Sequence, residues 1–312
     1  MLIVINAIEY TVERKGVSYA LHADKNTAQK NAWHLKTIDG NGMPPTSALG
    51  GASYGVAGRS YGGLAVDARE IEVEMYADGF SPAGCQQLLN DASRIITPDN
   101  EALGILRLTN ALGETYRIKA KAVDFAVNTI KRRSALVSAV FHCPYAYFES
   151  DVLNVVPFYA YEGGKEYPAG VGLERPYTFG DIPTANDMTR TITAYNAGDV
   201  AAPIVLRLFG SGFTRVEVVN ETTGASILLA NLGFVNVGGS APSGVEISTD
   251  ESDLYARDTN GGDVSAYVSL FSRLSDFKLE PGANVITVRM EAYGVTVAGT
   301  RIEWRGRYSS CL

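Results

Sequence analysis

From Thr189 to the end of the chain, each apolar run is short, alternates with polar residues and closes on a turn. TRTITAYNAG, APIVLRLFG, TRVEVVNETTGASILLANL, SGVEISTD, FKLEPGANVITVRM and TRIEWRGRY follow at short intervals, with no helical period between them. Asn220-Glu-Thr-Thr-Gly224 is a hairpin signal, and Glu280-Pro-Gly-Ala-Asn284 is a tight turn ahead of a strong strand. Alternation with period two puts the apolar side chains of a strand on one face, and that face has to be covered by another layer. Residues 189–312 are therefore read as an antiparallel β-sandwich.

The first half has a different texture. Residues 1 to about 40 mix short apolar runs with polar turns, with weak periodicity. LGGASYGVAGRSYGG, residues 49–63, is rich in Gly, Ser and Tyr, but no Gly-Lys-Ser/Thr and no helix follow it. It is read as a flexible or hairpin-forming loop rather than a phosphate loop. LAVDAREIEVEMYA then alternates, with Ile71, Val73 and Met75 on one face and Glu70, Glu72 and Glu74 on the other. SPAGCQQLLNDASRIITP is the one strong helix, over about 81–97. Ser81 suits the cap, Pro82 the first turn, and Cys85, Leu88, Leu89, Ala92 and Ile96 form one stripe that Pro98 ends. ILRLTNALGETYRIKAKAV reads as a hairpin turning at Asn110–Gly113, and SALVSAVFHC as a strand with Ala135, Val137, Ala139, Phe141 and Cys143 on one face.

The chain is thus mainly β: an α+β domain over 1–150, a linker and entry segment over 151–188, and the sandwich over 189–312. A length of 312 residues favours two domains, and 46% apolar against 20% charged residues suits a chain with a buried core. No run approaches the roughly 18 apolar residues of a membrane span. MLIVINAIEY has no basic segment ahead of its apolar residues, so it is not read as a signal peptide.

FHCPYAYFES, residues 141–150, gathers a histidine, a cysteine and several aromatics, and invites a catalytic or metal reading. Strand parity argues otherwise. Cys143 goes inward with Phe141, His142 points away, and Pro144 ends the strand. His22, His34 and His142 have no metal-ligand spacing, and there is no Gly-x-Ser-x-Gly elbow, since Gly210-Ser211-Gly212 sits between strands as a bend. Asp250, Glu251 and Asp253 could solvate a loop or meet calcium, but lack the EF-hand spacing. No catalytic, cofactor-binding or metal-binding residue is assigned, and no cofactor. Cys85, Cys143 and Cys311 are odd in number and far apart, so no disulfide framework is implied and synthesis in a reducing cytoplasm is expected.

A net charge of −7 argues against nucleic acid as partner, and Lys131-Arg132-Arg133 is read as a solvated turn. Seventeen tyrosines are an excess. Tyr145, Tyr147, Phe148, Phe158, Tyr159 and Tyr161 crowd the linker, suited to packing at an interface or to stacking on sugars.

The order of these features resembles the distal tail (Dit) proteins of siphophages, within the wider siphovirus tail-component family. AREIEVEMYADGFSPAGCQQLLNDASRIITP is similar to that family's strand and helix. LGILRLTNALGETYRIKAKAVDF is similar to its hairpin, with a Gly-Glu-x-Tyr turn, and FHCPYAYFES to its segment before the linker. In the second half, YNAGDVAAPIVLRLFGSG, VEVVNETTGASILL, SGVEISTD, LEPGANVITV and IEWRGRY come in the family's order. The likeness covers about residues 70–310. It implies a non-enzymatic virion protein whose N-terminal domain forms a hexameric ring between tail tube and tail tip. The C-terminal sandwich would be galectin-like or carbohydrate-module-like. Implied partners are further copies of the chain, the tail-tube and tape-measure proteins, and tail-tip hub or receptor-binding proteins, without nucleic acid or membrane insertion. The alternative is a carbohydrate-binding protein that recognises host-surface sugars.

Overall fold

The alternation in Arg69–Asp78 and Ser134–Cys143 becomes an antiparallel pair in which Ile71 faces Phe141, Val73 faces Ala139 and Met75 faces Val137. All six are fully buried, while Glu70 and Glu72 on the other face are exposed. A computed structural model of the chain describes residues 5–12, 17–22, 32–49, 63–96, 103–158, 188–209, 213–230, 244–258, 260–292 and 300–311. The Gly/Tyr loop beyond its two ends, most of the 151–188 segment and Gly210-Ser211-Gly212 lie outside these residues.

The chain divides into two units, Met1–Val152 with Arg307–Leu312, and Leu153–Gly306. The first holds β1 (Ile5–Val12), β2 (Val17–His22), β3 (Ala32–Asp39), β4 (Thr46–Leu49), β5 (Gly63–Val66), β6 (Arg69–Asp78), α1 (Pro82–Ile96), β7 (Gly104–Asn110), β8 (Thr115–Ile130), β9 (Ser134–Cys143) and β10 (Phe148–Ser150). The second holds β11 (Asn154–Pro157), β12 (Met188–Asn196), β13 (Ala202–Phe209), β14 (Phe213–Asn220), β15 (Ser226–Ala230), β16 (Gly244–Ser248), β17 (Tyr255–Asp258), β18 (Lys278–Leu279), β19 (Gly282–Ala292) and β20 (Arg301–Trp304). β21 (Arg307–Tyr308) returns to the first unit. The expected division differs from this in two places. Asn154–Pro157, assigned to the linker, pairs with β20, and TRIEWRGRY is two strands that part at Arg305-Gly306 rather than one.

In the first unit the sheet runs β2-β1-β7-β8-β9-β6-β3, and β10 pairs with β8 and β21. Ser81 caps α1 as expected, its Oγ accepting from the Gly84 amide at 3.1 Å. Cys85, Leu89 and Ala92 bury the helix stripe against β6, β8 and β9. Leu64–Val66 stands apart from β6 as β5, in a hairpin with β4. The weak periodicity of the first 40 residues hides three strands. In β1 the buried residues are Ile5, Ile8 and Tyr10, and register shifts at Ile5/Ala7 and Ile8/Glu9 break the alternation. β3 carries a similar shift at Leu35/Thr37.

The second unit has a six-stranded sheet, β11-β20-β13-β16-β17 with β18 beside β13, and a four-stranded sheet, β12-β19-β14-β15. Every pairing is antiparallel. Ile204, Leu206 and Leu208 of β13 share one core with Val216 and Val218 of β14 and Ile286, Val288 and Met290 of β19. The turn motifs seen in the sequence owe their form to three buried asparagines. Asn196 Nδ2 donates to Val200 O and Leu279 O, and its Oδ1 accepts from Gly198 N. Asn220 Nδ2 donates to Lys278 O while its Oδ1 accepts from Thr222 N, and Asn284 both accepts from Glu280 N and donates to Glu280 O. Two of these amides hold β18 by its carbonyls.

Asn220→Ala strips a buried amide and orphans Lys278 O. It is expected to destabilise the second unit by about 1–3 kcal/mol, against less than about 0.5 kcal/mol for the exposed neighbour Glu221→Ala. Urea unfolding of the full chain measures both.

Candidate functional site

The structure places FHCPYAYFES where parity put it. Cys143 and Phe141 are fully buried, and His142 faces outward with Nδ1 3.9 Å from Glu70 Oε1. The crowd of aromatics is divided. Phe148 is buried in the first core and Phe158 in the second, so neither can stack on a sugar. Tyr145 is partly exposed, with Lys119 Nζ 6.0 Å from its ring centre, and Tyr159 and Tyr161 lie outside the described residues.

The polar centre of the segment is one that the sequence did not announce. Arg69, the first residue of β6, is 1% exposed and faces no carboxylate among the described residues. Its Nη1 donates to Gly40 O at 3.1 Å and Gly42 O at 2.9 Å, and its Nη2 to Ser309 O at 2.8 Å. The guanidinium lies 4.5 Å from the centre of the Phe148 ring. Burial lowers its pKa, yet an arginine so placed keeps its proton. Gly40 has φ +80° and a Cβ there would stand 1.9 Å from Glu70 O, so this turn requires glycine. Arg69→Ala leaves three carbonyls without their donor. We expect a loss of at least about 1–3 kcal/mol, the cost of leaving a buried acceptor unsatisfied, read as a drop in first-unit stability by hydrogen exchange at Gly40–Gly42 and β21.

The thiols of Cys143 and Cys311 flank this arginine. Burial pushes each up to about 12, with the Arg69 charge drawing it partly back. Cys85 is likewise raised, first by burial and then by Asp78. All three are buried and unpaired. Thiolate is the reactive form, so these are inert core residues. Because the folded values of Cys143 and Cys311 lie above the unfolded one near 8.5, the contribution of these two to stability is complete below that pH and fades as pH climbs toward about 12. Folded protein at pH 8 should resist a thiol reagent, and unfolding in denaturant should release all three groups.

The remaining candidates do not converge. His34 pairs across from Tyr76 and His142 from Glu70, which sets them about 20 Å apart along β6. His22 lies in β2, and its side chain is outside the described residues. Asp250 folds onto its own loop, accepting from Ser252 N at 3.0 Å and Ser252 Oγ at 2.8 Å, and Glu251 pairs with Lys278. Among the described residues no three His, Cys, Asp or Glu side chains gather. No described helix is long and apolar enough to cross a membrane.

A shallow recess of about 480 Å³ in the first unit is lined by Ala7, Glu9, Arg107, Thr109, Thr115 and Asp151. Its polar groups engage each other: Arg107 meets Asp151 at 3.3 Å and Thr11 at 2.7 Å, and the Thr109 and Thr115 hydroxyls are 3.0 Å apart. The second unit carries a larger ionic network that single-sequence reasoning missed, because it needs strand register. Arg207 pairs with Glu246 and, at 3.0 Å, with Glu303; Arg257 reaches Glu246 at 2.7 Å; Arg301 meets Glu303 at 2.5 Å. Burial alone would raise Glu246, but hydrogen bonds from Tyr255 and Arg257 and the charges of Arg207 and Arg257 hold it below the usual carboxylate value. The network ties β20, β13, β16 and β17 side by side. Its charges are already paired, which suits a brace.

Against known proteins, no family model matches the chain and no curated protein matches it by sequence. Solved structures do match. The crystal structure of the SPP1 Dit protein, described as a paradigm of the hub adsorption apparatus in phages that infect Gram-positive hosts, has a TM-score of 0.58. It is 12% identical, over 97% of this chain and 99% of that one. A chain of the phage P2 baseplate in its activated conformation with calcium gives 0.51, also at 12% identity, over 98% of each chain. Across both units, this chain has the fold of a siphophage distal tail protein.

Proposed function

We propose that this chain is a structural, non-enzymatic component of a phage tail tip. In this reading it is a ring-forming hub that joins the tail tube to the tip and to the proteins of host adsorption. The observation that carries it is the span of the likeness, which runs through both units and leaves almost none of either chain unmatched. A fold shared by a β-sandwich alone would say little, because such sandwiches host many functions. A matched order of an α+β unit and an inserted sandwich is far more specific.

The first unit would supply the ring, and the partners would be further copies, tail-tube and tape-measure proteins, and tail-tip hub or receptor-binding proteins. The paired charges of the ionic network and the inert thiols support a scaffold rather than a reaction centre. The place of action would be the tail tip of the virion, after synthesis in the host cytoplasm. Sugar recognition by the second unit loses two of the six aromatics that suggested it, since Phe148 and Phe158 are core residues.

Mass photometry and native mass spectrometry of the full chain, with and without the tail-tube protein from the same tail, test this. Six-membered rings are the expected product. Monomer in both conditions would overturn the reading.

A further inference from the structure

β8 is sixteen residues long, and its two halves differ. Thr115–Ala120 is paired on one side with β7 and on the other, at Tyr116 and Arg117, with β10. From Lys121 to Ile130 only β9 pairs with it among the described residues, so that the side used by β7 carries no described strand. Unpaired strand edges are normally blunted by charge, proline or covering structure, because each is a template for another strand. Here the stretch opens on Lys121, holds one carboxylate, Asp124, and bulges at Ala122/Asp124 and Val127/Thr129, but from Phe125 to Ile130 it carries no charge.

Its apolar residues are also uncovered. Val127 stands opposite Val137, and Ile130 opposite Ala135. Residues directly opposite each other share a face, so both lie on the face that carries the core, yet they are 40% and 68% exposed. The core face therefore continues past its own cover. The turn that follows, Lys131-Arg132-Arg133, is exposed, and no ion pair joins it to a described residue.

The opposite charge sits at the far end of the same strands. β6 runs antiparallel to β9 with Asp78 beside the basic turn and Glu70 beside His142. Glu70 and Glu72 are exposed on its outer face, and Glu74 is taken up by Lys36 at 2.9 Å. Glu72 lies about 20 Å along the strand from the basic turn. The first unit thus presents an exposed basic turn with apolar neighbours at one end, where Asp78 is the nearest acid, and the exposed acids Glu70 and Glu72 at the other, where His142 and Lys121 share the Glu70 row, in a chain of net charge −7. A head-to-tail ring needs two different complementary patches on each subunit.

We propose that the far half of the β8–β9 hairpin is the surface by which one copy of this chain holds the next. Val127 and Ile130 are covered by the neighbour, and Lys131-Arg132-Arg133 meets the neighbour's Glu70–Glu72 stripe. The proposal rests on the ring reading above and adds the residues that make the contact. Pairing of opposed patches steers association and fixes register, so assembly through it weakens as salt rises.

The test uses the full chain and reads the concentration at half-assembly by mass photometry, with thermal unfolding as control. Val127→Lys/Ile130→Lys changes exposed positions only, so the melting temperature should stay within a few degrees while half-assembly moves at least about tenfold higher. Reversing the turn (Lys131→Glu/Arg132→Glu/Arg133→Glu) and reversing the stripe (Glu70→Lys/Glu72→Lys) should each weaken assembly. Both in one chain should restore it, as a coupled pair requires. A second readout needs no loss of stability. Arg132→Cys/Glu72→Cys, oxidised in the assembled state, should give covalent multimers, because two thiols about 20 Å apart in one copy cannot bridge and the native cysteines are buried.

Wild-type assembly by the lysine variant, no recovery in the combined charge reversal, or no covalent multimers would each overturn the proposal while leaving a wild-type ring intact. A wild-type chain that never assembles would overturn the ring reading, and this contact with it.

Discussion

Arg69 is the interaction on which the first unit turns. A guanidinium removed from water without a carboxylate carries a cost of several kcal/mol unless its donors are satisfied. Here the acceptors come from Gly40 and Gly42 on one loop and from Ser309 near the end of the chain, and Phe148 supplies the face beneath. These segments lie far apart in sequence, and although the buried Nε has no partner among the described residues, the two terminal nitrogens keep their acceptors only when all are present at once. The charge therefore converts separate local structures into one cooperative closure. An apolar side chain of similar volume would fill the space, but would tolerate any one segment being displaced.

That dependence also explains what could be read from the sequence. Where one face of a strand is buried and the ladder is regular, as in β6 and β9, apolar residues at every second position locate both the strand and its buried side. The hairpin at Asn110–Gly113 was legible for the same kind of local reason, with Gly113 at φ +83°. Where a bulge intervenes, as in β1 and β3, parity changes partway and the signal cancels, although Ile5, Ile8, Tyr10 and Trp33 are as buried as any neighbour. Arg69 gave no signal, because a buried arginine and a solvated one are the same letter. The ionic network was equally silent. Glu246 is an ordinary alternating residue until register sets it opposite Arg207 on one side and Arg257 on the other.

The reading of FHCPYAYFES as a joint gains a physical meaning from the return of the chain. Phe148 and Glu149 pair with Tyr308 and Arg307, and Glu149 is held at 2.9 Å by Arg117 and at 3.8 Å by Arg307. The segment is where the chain leaves the first unit beside the strand by which it comes back. A linker and entry segment over 151–188, the expectation from sequence, would leave only one such crossing. The division at residue 150 missed this because sequence order shows where a domain begins, and says nothing of a strand that rejoins it 150 residues later.

Insertion has a thermodynamic consequence. Bringing β10 and β21 together closes a loop that contains the whole second unit, and for a flexible chain that cost rises with the logarithm of its length. The second unit removes most of it, because its own first and last strands are partners: Asn154 faces Trp304 and Pro157 faces Arg301. Once β11 and β20 are paired, the ends to be joined are only a few residues from contact. The stability of the first unit is therefore linked to the folding of the second through the length of free chain between β10 and β21. By reciprocity, closing the first unit favours the pairing of β11 with β20 by the same amount. The asparagines that fasten β18 and the arginine that fastens Ser309 thus act on one equilibrium. The two cores are thereby joined in their free energy.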